Sequence, residues 1–353
     1  MNEVTTKTAA PTASQDDRAI LEVNDLVKHF AVKGGLFGRN AARVQAVDGV
    51  SFEVRPRETL GIVGESGCGK STTARLLMHL MHPDSGDIVI DGKRVGEAGG
   101  LTVRDMRYLM QMVFQDSYAS LNPRLTIEET IAFGPRVHGV PAEAARQRAR
   151  ELLQQVGLDP NLFIRRYPHE LSGGQRQRIN IARALALNPK IVILDEAVSA
   201  LDKSVEAQVL NLLLDLKQQL GLTYIFISHD LHVVHYVSDR VLVMYLGKVV
   251  EIGPVEEIYA ATAHPYTQAL LSAMPSMDPD HRANEPPISG DPPNPINPPS
   301  GCRFHTRCPF AEPVCSSREP LLHVVNGHAG HLAACHMRIP GSGHSAAPEK
   351  GVL

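Results

Sequence analysis

Short runs of almost uninterrupted apolar residues punctuate the chain, and each is bounded by polar or glycine-rich text. TLGIVG (59–64), KIVILD (190–195), TYIFIS (223–228) and RVLVMYLG (240–247) carry too few polar positions for a strand with one wet face. Such runs predict strands covered on both sides, as in a largely parallel sheet. Two earlier segments, LEVNDLVKHF (21–30) and VSFEVRP (50–56), mix polar and apolar positions and predict antiparallel strands. Helical spacing appears in EAQVLNLLLDLKQQL (206–220), which runs into Gly221, a helix stop signal. Between about residues 116 and 187 strand signals vanish. AEAARQRARELLQQVGL and GQRQRINIARALAL predict helices there, so this region reads as a helical insertion in an α/β domain.

Beyond residue 253 the pattern changes. Seven prolines fall between Pro286 and Pro299, which excludes a core helix or strand and predicts an extended connector. A cysteine cluster follows. The ends, residues 1–17 and 341–353, are polar or rich in small residues and predict disordered tails. The expected organisation is therefore an α/β domain over 18–258, a C-terminal extension over 259–340 and two tails.

Composition adds limits. The chain has 353 residues, 43% of them hydrophobic, enough for a sizeable core. A formal net charge of -3 gives no bias toward nucleic acid or an anionic surface. No run approaches the length of a membrane span, and the N-terminus lacks the apolar core of a secretion signal. A cytosolic protein is expected, with any membrane role exerted through partners. Extracellular disulfides fit that compartment poorly.

The chemistry begins at residues 64–71, GESGCGKS. This is G-x-x-x-x-G-K-S, a phosphate-binding loop with a strand before it and a helix after it. Its glycines let backbone N–H groups turn into one hollow, where they and the helix N-terminus hold phosphate oxygens. Gly64, Glu65, Ser66, Gly67, Cys68, Gly69, Lys70, Ser71 and Thr72 form the expected nucleotide-binding stretch. Lys70 supplies charge to the β- and γ-phosphates, and Ser71 is a candidate Mg²⁺ ligand. Cys68 occupies a place that needs a small side chain.

LSGGQRQRINIARAL (171–185), IVILDEAVSALD (191–202) and FISHD (226–230) follow in that order. Together with the upstream loop they resemble the ATP-binding-cassette ATPases. The resemblance implies a P-loop NTPase core with an antiparallel β subdomain, a helical insertion and a small cysteine-rich C-terminal extension. It implies Asp195 as a Mg²⁺ ligand with Ser71 and Gln115, Glu196 as general base, and His229 and Gln115 as further catalytic residues. Phe30 is similar to the aromatic residue that stacks on adenine. Ser172, Gly173, Gly174 and Gln175 resemble the signature loop that caps the ATP of a facing subunit, and Asp202 the residue at that seam. ATP and Mg²⁺ are the implied ligands.

One cassette without membrane spans implies a stand-alone transporter subunit. VFQDSYASLNPRLTIEETI (113–131), HPYTQALLSAMP (264–275) and the cysteine-rich end resemble the ATPase subunits of oligopeptide and dipeptide importers. That likeness implies a second, unlike ATPase subunit, two transmembrane permease subunits and an extracytoplasmic substrate-binding protein. It implies a place at the cytoplasmic face of the inner membrane. Relatives also carry nickel chelates, glutathione or other small solutes. A soluble cassette acting on nucleic acid is the reading from another class, and the absence of a basic stripe argues against it.

Cys302, Cys308, Cys315 and Cys335 are spaced C-x5-C-x6-C-x19-C. Soft thiolates suit a four-iron four-sulfur cluster or zinc, and the short C-x2–4-C pairs common at zinc sites are missing. The resemblance implies the iron–sulfur cluster; zinc and free or paired cysteines are the alternatives. His305, His323, His328, His331 and His336 lie close by in sequence as substitute ligands.

Overall fold

The computed structural model describes residues 18–32, 42–274, 290, 293–325 and 327–349. Strands β1 (Leu21–Ala31) and β2 (Arg43–Val54) pair antiparallel. The chain then passes through β3 (Thr59–Val63) and helix α1 (Lys70–Leu77) before β4 (Ser85–Ile90) and β5 (Lys93–Arg94) return to the first pair. The order β2-β1-β4-β5 makes a four-stranded antiparallel sheet. Helix α2 (Val103–Leu109) leads into β6 (Met110–Val113).

Four helices follow without an intervening strand: α3 (Ile127–Val137), α4 (Ala142–Gln155), the short α5 (Pro160–Phe163) and α6 (Gly173–Leu185). Capping boxes start two of them. Thr126 and Glu129 exchange bonds at α3, and Ser172 and Gln175 do so at α6, which satisfies N–H groups that helix geometry leaves unpaired. The chain then returns to strands, with β7 (Ile191–Asp195), α7 (Lys203–Leu220), β8 (Thr223–Ile227), α8 (Leu231–Val237) and β9 (Arg240–Tyr245). Gly221 ends α7 with φ +63°.

β3, β6, β7, β8 and β9 form the parallel part of the second sheet, in the order β9-β3-β8-β7-β6. Every residue of β3, β7 and β8 is buried. Strand alternation then sorts side chains into two cores. Ile191, Ile193, Ile225, Ile227, Leu242 and Met244 face the core shared with α1 and the antiparallel sheet. Val192, Leu194, Tyr224, Phe226, Val241 and Val243 face the core shared with the helical region and α7.

The sheet does not stop at β9. Strand β10 (Lys248–Pro254) turns back antiparallel, and α9 (Val255–Ala260) and α10 (Pro265–Ser272) follow. Further on come α11 (Pro313–Ser317), β11 (His323–Val325) and β12 (His328–Ala333). β12 pairs with β10 through Glu251↔Ala333 and Ile252↔Leu332, so the C-terminal segment continues the same sheet.

The expected N-terminal tail and most of the proline-rich connector lie outside the described residues. The disordered end predicted from residue 341 does not hold for 341–349. His344 is buried and bonded to the Phe310 carbonyl, and the Ser345 N–H donates to Glu312 at 2.9 Å. Polar composition misled there because these polar groups find partners within the fold.

Candidate active site

Phosphate-site geometry starts with the loop between β3 and α1. Gly64 has φ +147°, and a Cβ there would lie 2.2 Å from the Met244 carbonyl oxygen. Gly69 has φ +113°, and a Cβ there would lie 2.3 Å from the Ala46 carbonyl oxygen. Only glycine satisfies both the angle and the space. Lys70 is buried and donates to the carbonyls of Gly64 at 2.7 Å and Glu65 at 3.1 Å, so its ammonium closes the loop on itself. Cys68 lies beneath the loop, and burial pushes its thiol pKa up.

Opposite the loop stand the ends of parallel strands. Asp195 closes β7 and accepts a hydrogen bond from Ser71 Oγ at 3.0 Å. Burial raises its carboxyl pKa; the Ser71 bond opposes that and the Glu196 charge adds to it. Glu196 has φ +47°, a conformation that costs about 1–3 kcal/mol for a side-chain-bearing residue and that recurs at functional sites. Gln115 Nε2 donates to Glu196 Oε2 at 2.8 Å, and His229 Nδ1 lies 3.4 Å from the same oxygen. Ser66, Gly67, Gly69, Lys70, Ser71, Thr72, Gln115, Glu196 and His229 line one cavity of about 440 Å³.

Not every expected residue reaches that cavity. Gly64, Glu65 and Cys68 shape the loop from behind. Phe30 lies on β1, 39% exposed, with Lys28 Nζ 5.9 Å from its ring centre. Ser172, Gly173, Gly174 and Gln175 sit at the start of α6 and do not line it; Gly173 instead borders a separate cleft with Gln115, Tyr118 and Arg176. Asp202 is the N-cap residue of α7.

Relatives 48% identical over about nine-tenths of its length show that the chain belongs to the ABC transporter ATPases. Residues 47–199 match the ABC transporter family, and residues 250–315 match the oligopeptide/dipeptide transporter C-terminal region. The oligopeptide transport ATP-binding protein AppF of Bacillus subtilis is 48% identical over 326 residues, 91% of this chain and 98% of AppF. The di/tripeptide transport ATP-binding protein DppF of Pseudomonas aeruginosa is 48% identical over 318 residues, covering 90% of this chain and 97% of DppF. Among solved structures, the cassette MJ0796, a dimer in a post-hydrolysis state with ADP and phosphate, aligns with TM-score 0.56 and 27% identity. That alignment covers 67% of this chain and 98% of MJ0796. An ATP-hydrolysing cassette is thus established for this chain. Among its described residues no helix is long and apolar enough to cross a membrane.

In this ATPase a second constellation lies behind the phosphate loop. Cys302, Cys308, Cys315 and Cys335 all carry free thiols and line one small cavity with Phe304, Phe310 and His264. Burial pushes the Cys302 thiol up to about 12 and that of Cys335 to about 11. Backbone N–H groups of Phe304, Phe310 and Met337 near Cys302, Cys308 and Cys335 oppose that rise. Among the described residues, however, no group of three or more His, Cys, Asp or Glu is arranged to hold a metal ion. The iron–sulfur expectation therefore has convergent thiols but no assembled ligand set.

The nearby histidines are mostly engaged elsewhere. His305 and His336 border the cavity but bond to the carbonyls of Cys302 and Arg318. His331 lies 2.8 Å from Glu251 and 3.4 Å from Glu257. His323 is on the outer strand β11, with Nδ1 at 3.0 Å from the Val324 carbonyl. The side chain of His328 lies outside the described set. His344 also borders the cavity, a residue that the sequence reading assigned to a tail.

Two further residues escaped the sequence reading. Arg307 forms a forked contact with the Glu65 carboxylate, its closest approach 3.0 Å, and the Tyr266 hydroxyl accepts the Glu65 N–H at 2.8 Å. Tyr266 lies in HPYTQALLSAMP and Arg307 in the cysteine-rich end, but neither stretch announces a contact with Glu65 about two hundred residues away.

Proposed function

We propose that this chain is the ATP-hydrolysing subunit of a peptide importer. One observation carries the reading: Lys70, Ser71, Gln115, Glu196 and His229 line a single cavity, with Asp195 bonded to Ser71. The relatives' peptide transport roles and the matched C-terminal region support peptide as cargo.

Loop amides and Lys70 bind the triphosphate; Lys70 exchanges its carbonyl partners for phosphate oxygens. Ser71, Asp195 and Gln115 offer hard oxygen donors suited to Mg²⁺, and a buried carboxyl with a raised pKa gains its charge most readily beside a cation. Bound there, Mg²⁺ supplies neutralising charge at the phosphates. Glu196 takes a proton from the attacking water as general base, held by Gln115 and His229, and His229 orients that water. Phe30 stacks on the adenine.

The signature residues Ser172, Gly173, Gly174 and Gln175 lie outside their own chain's cavity, so they serve the ATP of a facing, unlike cassette, with Asp202 at the seam. ATP then joins two cassettes and hydrolysis separates them, a two-state cycle that turns two permease subunits. The subunit works at the cytoplasmic face of the membrane, and an extracytoplasmic binding protein delivers the peptide.

The test is reconstitution of the chain with its companion cassette and permeases in liposomes. Glu196→Gln should retain ATP affinity, accumulate closed dimers and stop uptake of labelled peptide. Parental hydrolysis by that variant would refute the base assignment. ATP-driven uptake of a nickel chelate or glutathione but not of peptide would refute the cargo.

For the cysteines, the reading is a four-iron four-sulfur cluster, with zinc as the alternative. Four soft thiols lining one cavity suit such a cluster. The thiols must draw together around it. Iron and sulfide analysis of anaerobically purified protein tests this: neither element refutes the cluster, and stoichiometric zinc supports the alternative.

A further inference from the structure

We propose that Arg307 is a positioning residue of the ATP site: from the C-terminal segment it holds Glu65, and so sets the nucleotide affinity of the phosphate loop. The inference rests on the phosphate-binding reading of that loop.

Glu65 is an awkward residue for its place. It sits one position beyond Gly64 and next to Ser66, which lines the phosphate cavity. A free carboxylate there would repel an incoming triphosphate. In this structure the carboxylate turns away from the cavity and meets the Arg307 guanidinium through contacts of 3.0 and 3.3 Å. Arg307 is 8% exposed at its side chain and Glu65 24%, so water screens the pair only in part.

The backbone of Glu65 is held as well. Its N–H donates to the Tyr266 hydroxyl, and its carbonyl accepts from Lys70 at 3.1 Å and from the Cys68 N–H at 3.2 Å. Moving Glu65 therefore moves the carbonyl that receives Lys70. Behind Glu65 stands a buried aromatic cluster. Tyr266 and Phe304 are buried, their rings lie 5.4 Å apart, and both pack on Tyr245 of β9. Tyr245 also accepts from Arg307 at 3.3 Å. Phe304 and Arg307 lie between Cys302 and Cys308 in the chain, so the cysteine-lined segment supplies both the wedge and the charge.

Arg307 thus has two effects on binding. It cancels a negative charge beside the phosphates, and it preorganises the loop backbone, which lowers the ordering cost of binding. Chemistry at Glu196 lies on the other side of the cavity, so affinity should respond far more than the turnover rate.

The test uses full-length protein assembled with its transporter partners. Arg307→Ala should weaken MgATP binding about tenfold, as expected for loss of hydrogen bonds to a charged group. The KM for ATP should rise in parallel, while kcat at saturation changes less than about twofold. Adding Glu65→Gln to Arg307→Ala should recover most of the lost affinity, because the unpaired charge is gone. A purely structural role would not be rescued in that way. Unchanged affinity in Arg307→Ala, or failure of the second substitution to rescue it, overturns the proposal. Should Arg307→Ala not fold, Arg307→Lys, which keeps the charge but loses the fork, should weaken binding about threefold; parental affinity overturns the proposal. Lys70→Ala separates the two readings. If it binds MgATP normally, the phosphate site itself is wrong; if it loses binding while Arg307→Ala does not, only the role of Arg307 falls.

Discussion

Two glycine-rich loops each lead into a helix, and they use glycine for different reasons. Before α1, glycines carry φ values of +147°, +80° and +113° at 64, 67 and 69. They are conformational glycines. No side chain caps α1, so its first N–H groups remain available for phosphate. Before α6, Ser172 caps the helix in a reciprocal box with Gln175. Gly173 and Gly174 are ordinary helical residues there, and a Cβ on Gly174 would lie 2.5 Å from Val205 Cγ1. Gly174 is a glycine of space, whereas a Cβ on Gly173 would meet Leu201 only at an ordinary 3.7 Å. The first loop leaves the N–H groups at its helix start without a side-chain cap; the second satisfies its own through the reciprocal box. That contrast fits the proposed roles, one loop to grip a nucleotide and the other to close over a neighbour's.

Three substitutions would break or sharpen this contrast. Gly64→Ala should have the largest effect. Its Cβ meets the Met244 backbone and the Cys68 sulfur, neither of which is a flexible chain end. Loss of nucleotide affinity by about a hundredfold is expected from strain of about 1–3 kcal/mol, measured by titration with MgATP. Gly174→Ala should do less, because Val205 can shift. A fall in Tm of a few degrees is expected, with partial recovery in Gly174→Ala/Val205→Ala; no recovery would show that space is not the constraint. Ser172→Ala should be the mildest, a loss of about 1 kcal/mol for the removed cap, read from denaturant unfolding. Ser172→Asp should keep that stability. Equal effects from all three would erase the distinction between the loops.

Much of the phosphate site was legible because its chemistry fixes residues within short stretches. Lys70 and Ser71 belong to one loop, and Asp195 ends and Glu196 follows one buried strand. Strand character was equally plain where runs such as IVILD are buried on both faces. The signature loop was legible as a motif, and the resemblance already implied a place outside its own chain's cavity; the cleft that Gly173 shares with Gln115 and Tyr118 appears only in three dimensions. Elsewhere, sequence carried no local signal. Arg307 reads as an ordinary charge between two cysteines, yet it meets the phosphate loop. His344 sits in text resembling a tail, yet it is buried against the cysteine segment. The cysteine spacing predicted convergence but not how deeply Cys315 and Cys335 are buried. Long-range pairings depend on how sheets extend, and β12 joins β10 through a registration that no motif announces.

That last pairing bears on any attempt to work with the nucleotide-binding half alone. Glu251, at the heart of β10, is fully buried, and its oxygens are met by the N–H groups of Ala263 and His264 and by the His331 ring. A chain cut off after residue 258 would forfeit all three donors and bare a strand edge at once. Such a fragment should aggregate rather than behave as a minimal enzyme, which makes the C-terminal segment a requirement for solubility as much as an addition to it.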